Sequence, residues 1–167
     1  MNIKYLTKYA ERFLEDSYSL SLDIPIVINN RIKNCMGAFI YTNKKGAIKI
    51  ELSGYMIKYG TENTVLDTLK HELVHYALYS LNKPCKDGQE YFENELKRLS
   101  ISETRSVTIG KFMEYICPKC QRDSVTETKK MMVNPHLYRT RCCNEPIKPT
   151  KFIICNGEEE LEFPYAQ

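Results

Sequence analysis

The chain has 167 residues, the length of one ordinary domain or of one domain with a small appendage. Apolar residues make up 43% and charged residues 27%, which supports a buried core and excludes a disordered chain. The formal charge of +3 does not by itself announce a nucleic-acid binder, and no run approaches the roughly 18 apolar residues of a membrane span.

Residues 4–20 place Tyr5, Leu6, Tyr9, Phe13 and Leu14 among charged positions at spacings of three and four, the pattern of an amphipathic helix. No apolar leader segment stands in this stretch, so the expectation is a soluble, cytoplasmic protein without a membrane partner. Ile24 to Ile28 is rich in β-branched residues and reads as a strand, closed by the turn signal Asn29-Asn30. Gly37 to Tyr41 reads as a second strand. Ala47 to Leu52 alternates apolar and polar residues and reads as a half-buried third. Three short strands joined by turns predict a small antiparallel sheet.

Thr61 is placed to cap a new helix, with Glu62 favouring its positive end. From Val65 to Leu81 the apolar positions cover much of the circumference, so this helix is expected to be packed on several sides. Phe92, Leu96 and Leu99 mark a third helix after the loop containing Pro84 and Gly88. Residues 1–112 thus read as an α+β domain. Near Tyr115 the composition changes: residues 111–151 hold nine Lys or Arg against four Asp or Glu, and four of the seven cysteines lie between 117 and 143. Residues 113–157 are expected to form a second, small β domain and 158–167 an acidic tail. An odd cysteine count without an export signal argues against a disulfide framework and for metal ligation.

The central helix contains His71-Glu72-Leu73-Val74-His75. Imidazoles four residues apart on a helix share one face and can reach one ion. Neutral imidazole suits Zn²⁺, and a catalytic site keeps a corner open for water. Glu72 is placed to accept a proton from that water. A buried His–Glu pair satisfied by hydrogen bonds is the structural alternative.

These residues, with the Gly37–Phe39 and Ile48–Leu52 strands, the helix Leu66 to His75 and the cysteine segment after Tyr115, resemble the SprT-like family, which includes bacterial SprT and eukaryotic Spartan. The resemblance implies a zincin-like, minigluzincin-type α+β zinc peptidase built around the H-E-x-x-H helix and followed by a zinc ribbon. It also implies a protein or peptide substrate, and the Spartan branch digests proteins crosslinked to DNA. Family members usually supply a third His in a His-Gly-x-Glu-aromatic element. Here the stretch is Asp87-Gly88-Gln89-Glu90-Tyr91, so Asp87 becomes the expected third ligand, with Glu90 as the alternative. A carboxylate is a competent zinc ligand, though it should leave the water less acidic than a third imidazole would. Asp87 as helix N-cap with Glu90 at N3 is the structural reading of the same residues.

Cys117-Pro118-Lys119-Cys120 is a metal-knuckle pattern, and Cys142-Cys143 follows at a spacing suited to a zinc ribbon. The family pattern has a second C-x-x-C, whereas Thr140 stands where its first cysteine would be. Adjacent cysteines usually point apart. The expected structural zinc is therefore held by Cys117, Cys120 and Cys143, with Cys142, Cys155 or His136 as the fourth ligand. A hairpin with free thiols is the alternative, and a redox pair fits less well because no βαβ pattern surrounds it.

Strand alternation around Tyr138 would put Arg139 and Arg141 on one face, an arrangement suited to single-stranded nucleic acid, DNA included, or to a plain solvated surface. Two functions follow as expectations: a zinc metalloendopeptidase with Glu72 as general base and Tyr76 or Tyr79 available for oxyanion support, or a non-catalytic zinc-stabilised nucleic-acid-binding module. Oligomeric state is not legible.

Overall fold

The computed structural model describes residues 1–32, 35–102 and 108–165. Its internal contacts divide the chain into Met1–Val107 and Thr108–Gln167.

In the first unit, α1 (Ile3–Tyr18) begins where the Asn2 side chain accepts the Tyr5 N–H at 2.9 Å. It stops at Ser19, whose φ of 53° leaves the helical region. Leu6, Ala10 and Leu14, spaced by four, are its buried stripe. Three strands follow: β1 (Ile26–Asn29), β2 (Gly37–Thr42) and β3 (Gly46–Ser53). Their order is β1-β3-β2. β2 and β3 form the expected antiparallel hairpin, but β1 runs parallel to β3 with Ile26 opposite Ile50. The sheet is therefore mixed rather than antiparallel. β3 takes the centre because it is the longest of the three strands and carries the fully buried Ile50 and Leu52. Short apolar strands specify which face is buried but not which neighbour they pair with.

Residues Gly54–Tyr59 form a short helix, α2, capped by Ser53, an element too short to announce itself by a helical period. α3 (Glu62–Ser80) starts at Thr61, whose side-chain oxygen accepts the Thr64 N–H at 3.1 Å, as expected. Val65, Leu69, Leu73, Val74, Ala77 and Leu78 are buried around it, because α1, the sheet and α4 all pack on this helix. α4 (Glu90–Arg98) buries Phe92 and Leu96. Its N-cap residue is Gln89, which makes no side-chain cap bond. The reading of Asp87 as N-cap with Glu90 at N3 is thus replaced: Glu90 is the first residue of the helix.

The second unit is an antiparallel sheet of order β5-β4-β6-β7, comprising β4 (Ile109–Ile116), β5 (Asp123–Thr126), β6 (Lys148–Asn156) and β7 (Glu160–Pro164). The expected boundary at 112/113 falls inside β4, which runs from Ile109. Within the expected acidic tail, 158–167, Glu160–Pro164 is the edge strand beside β6, with the Lys151 Nζ donating to Glu162 at 2.6 Å. A five-residue helix, α5 (Lys129–Val133), and a 3₁₀ turn at Pro135–Leu137 connect β5 to the second cysteine pair. Among the described residues no helix is long and apolar enough to cross a membrane.

Candidate metal centres

α3 presents His71 and His75 one turn apart, with Nε2 atoms separated by 3.2 Å. The loop between α3 and α4 brings in Asp87, whose Oδ1 lies 3.1 Å from His71 Nε2 and 3.5 Å from His75 Nε2. Two features aim this loop. Gly88 has φ 77°, a left-handed conformation that favours glycine, and its N–H donates to the Glu93 carboxylate at 2.8 Å. Around a tetrahedral ion with bonds of about 2.0–2.1 Å, neighbouring donor atoms stand about 3.3 Å apart. The three observed separations match that edge length, so the donor set fits a zinc-sized ion. Glu90 is exposed on the first turn of α4 and is not part of this group.

The imidazoles are held from behind. His75 Nδ1 donates to the Cys85 carbonyl, which leaves Nε2 with its lone pair facing His71 and Asp87. Burial, the largest influence, holds the His75 pKa below its ordinary value, so the ring favours the neutral form that a metal needs. His75 stacks on the Phe92 ring at 4.2 Å and 13°, while His71 meets the same ring at 5.2 Å and 79°.

Glu72 is 7% exposed. Its Oε2 accepts the backbone N–H of Phe39 on β2 at 2.8 Å. Burial pushes the carboxyl pKa up to about 8; the Phe39 N–H pulls it down and the Asp87 charge pushes it further up. The backbone of β2 comes this close because Gly37 has no side chain. A Cβ there would lie 2.9 Å from Glu72 Cγ and 3.0 Å from both Glu72 Oε1 and Thr68 Cγ2. Of the two tyrosines available for oxyanion support, Tyr76 has its hydroxyl engaged elsewhere. Tyr76 donates to the Ser21 carbonyl at 3.0 Å and accepts the Asp23 N–H at 3.2 Å. Tyr79 packs its ring against Phe39 and Tyr41.

The second unit gathers Cys117, Cys120, Cys142 and Cys143, with all four sulfurs within 4.8 Å of one another. Cys155 lies on β6, and neither it nor His136 belongs to this cluster. Two turns with matching hydrogen bonds build it. In the first, Cys117 N–H donates to Arg122 and Gln121 N–H returns to Cys117. In the second, Thr140 N–H donates to Glu145 and Asn144 N–H returns to Thr140. Gln121 and Asn144 both have φ 58°. Thr140 therefore occupies the place of Cys117, and Cys143 that of Cys120, as the sequence spacing suggested. Cys142, one position earlier in the tight turn, supplies the fourth sulfur and comes within 3.4 Å of Cys120. The tightness of the turn brings both adjacent cysteines into the cluster, contrary to the expectation that they would point apart.

Thr140 keeps a role by donating its hydroxyl to Cys117 Sγ at 3.5 Å. That bond, with the Cys120 and Lys119 backbone N–H groups, holds the Cys117 thiol low, whereas the Cys120 sulfur, burial and Cys117 push Cys143 up. A metal-free cluster thus tolerates one thiolate and resists more, and a divalent cation would reverse that balance. Arg139 and Arg141 do not form the expected strand face. Arg139 sits in an isolated bridge to Pro146 with its guanidinium on the Asn144 carbonyl, and Arg141 lies in the turn.

Two convergent donor sets on small sheets and helices define the class: an α+β protein with two candidate metal centres, one His₂–carboxylate and one Cys₄. The chain matches the SprT-like family over residues 3–110 and belongs to it. It is 28% identical to Protein SprT-like of Bacillus subtilis over 154 residues, 89% of this chain and 97% of that protein. It is 27% identical to Protein SprT-like of Bacillus cereus over 128 residues, covering 74% and 80% of the two chains. To Protein SprT-like of Streptococcus thermophilus it is 25% identical over 138 residues, 83% and 92%.

Four contributors to these sites escaped the sequence reading: the Phe39 N–H, the Cys85 carbonyl, the Phe92 ring and the Thr140 hydroxyl. Backbone groups leave no trace in residue type. Gly37 did leave one, since a glycine opening a strand often marks close backbone approach.

Proposed function

We propose that the protein is a zinc-dependent metallopeptidase whose ion is held by His71, His75 and Asp87 and whose general base is Glu72. The observation that carries this reading is the trio of donor separations, 3.1, 3.2 and 3.5 Å, in the same helix turn as a buried carboxylate that a structural metal site would not need. His71, His75 and Asp87 would hold the zinc, which when bound would supply Lewis acidity for a scissile carbonyl and for activating water. A cation bound at the histidines would favour the ionised form of Glu72 against the effect of burial, and the ionised Glu72 takes one proton from the attacking water as the water oxygen bonds to the carbonyl carbon. It then delivers that proton to the amine as the C–N bond breaks. The Phe39 N–H fixes one Glu72 oxygen and leaves the other for this transfer. Asp87 offsets part of the ion's charge, and Cys85 keeps His75 in the ligating tautomer.

β2 is an edge strand of its sheet, and Phe39 on it is bonded to the base. An extended peptide paired along that edge would present its backbone to the site, which favours unfolded or loop segments as substrates. Zinc in the Cys₄ cluster has a structural role in this scheme. The test is purified, zinc-loaded protein incubated with an unfolded protein and, separately, with a DNA-bound protein. Cleavage that disappears in Glu72→Gln supports the reading. Metal-replete protein that cleaves neither substrate excludes it and leaves the zinc-stabilised nucleic-acid-binding module.

A further inference from the structure

We infer that Phe92 is a positioning residue for the His71–His75 metal centre, a single ring that sets the orientation of both imidazoles and strengthens their hold on the ion. This inference rests on the reading of the two histidines as metal ligands. Phe92 is 0% exposed and belongs to the buried group of Val74, Leu78, Leu96 and Ile101, against which Cys85 also packs. Its ring is therefore fixed by the core rather than by the imidazoles. His75 lies parallel to it at 4.2 Å, and His71 meets it at a steep angle at 5.2 Å.

Two imidazoles one turn apart would each otherwise sample several rotamers, and their Nε2 atoms would meet only part of the time. A shared rigid wall removes that freedom before the ion arrives. A metal-bound His75 would also take on positive character, and the negative face of the phenyl ring stacked parallel to it would favour that state over the free neutral ring. The short stretch from Cys85 to Phe92 thus contributes three things to a centre whose other ligands stand on α3: the acceptor for His75 Nδ1, the carboxylate of Asp87 and the ring that His75 stacks on and His71 meets at a steep angle.

The test is a cobalt(II) titration of the full chain read by its visible absorption. His75→Ala serves as the blank, so that the cysteine cluster's signal cancels. Phe92→Leu and Phe92→Met, which keep the site apolar without a ring, are compared with Leu96→Ala, which opens a cavity in the same buried group. The expected result is binding about tenfold or more weaker in the Phe92 variants with a changed band shape, while Leu96→Ala melts at a lower temperature yet keeps the wild-type affinity and spectrum. Phe92 variants with unchanged affinity and spectrum overturn the inference, as does an equal loss in Leu96→Ala. If wild type and His75→Ala give identical titrations, no ion is held by the histidines, and the reading on which the inference rests fails with it.

Discussion

At Glu72 a carboxyl group is almost closed off from water, yet one oxygen is tied to the Phe39 N–H. Glutamine can accept the same bond, so Glu72→Gln should fold and retain metal while peptide hydrolysis falls by about 10²-fold or more, the usual contribution of a general base. His75→Ala should lose the ion as well as the activity, as elemental analysis beside a cleavage assay would record. Equal activity in Glu72→Gln and wild type would remove the base from the mechanism. Gly37 is the second sensitive position. A methyl group there cannot coexist with the observed Glu72 rotamer, so Gly37→Ala should destabilise the fold by about 1–3 kcal/mol and lower the turnover number by displacing the base. Urea denaturation and steady-state kinetics on that variant check both effects; unchanged values in each would contradict the close approach. The H-E-x-x-H residues were legible because their chemistry depends on spacing along one helix. Asp87 needed the family resemblance, since nothing in its immediate sequence separates a ligand from a cap until the loop geometry is known.

Among the elements, α3 was readable nearly to its ends. Thr61 marks its start, and its broad apolar circumference foretold burial on several sides. The parallel pairing of β1 was not readable, because Ile24 to Ile28 carries a burial pattern with no record of its partner. α2 was hidden for a related reason: six residues are too few to show a helical period. An ion pair within α4, beside Tyr18 of α1, offers a pH test of local stabilisation. Glu95 accepts from Arg98 Nη2 at 2.6 Å, and the Arg98 guanidinium lies 5.7 Å from the centre of the Tyr18 ring. Arg98 is the main cause holding the Glu95 pKa below its ordinary value. The folded state therefore binds this proton less readily than the unfolded chain does. The stabilisation is complete above the ordinary carboxylate pKa and is lost as pH falls through the lowered one. Glu95→Gln should cost about 0.5–1 kcal/mol at pH 7, a difference that closes on acidification below about pH 4. Thermal melts of both proteins across that range would show it, and a gap that does not vary with pH would exclude the ion pair as its source.

For the molecule as a whole, each unit buries apolar side chains of its own, Val74, Leu78, Phe92, Leu96 and Ile101 as one group in the first and Met113, Ile147 and Cys155 in the second. They should respond differently to loss of metal. Few of the second unit's described residues have fully buried side chains, and a small β domain of this kind would draw on a metal at its four cysteines for much of its folding free energy. Chelation should raise hydrogen exchange across β4 and β6 while α3 remains protected, and exchange followed by mass spectrometry would report each unit separately. Undisturbed β4 and β6 amides in metal-depleted protein would mean that the four cysteines are not a structural metal site. The composition change near Tyr115 made this second unit visible in the sequence. Sequence offered Cys142, Cys155 and His136 as the fourth donor, and the choice of Cys142 depends on how tightly the turn closes.

Diffraction at the zinc absorption edge, from crystals of protein purified without chelators, is the most direct measurement of the central claim. The expected result is an anomalous peak about 2.0–2.2 Å from His71 Nε2, His75 Nε2 and an Asp87 oxygen, with a water rather than a side chain completing the coordination beside Glu72. A map without that peak, or one in which a fourth side chain occupies the remaining position, would contradict the metallopeptidase assignment.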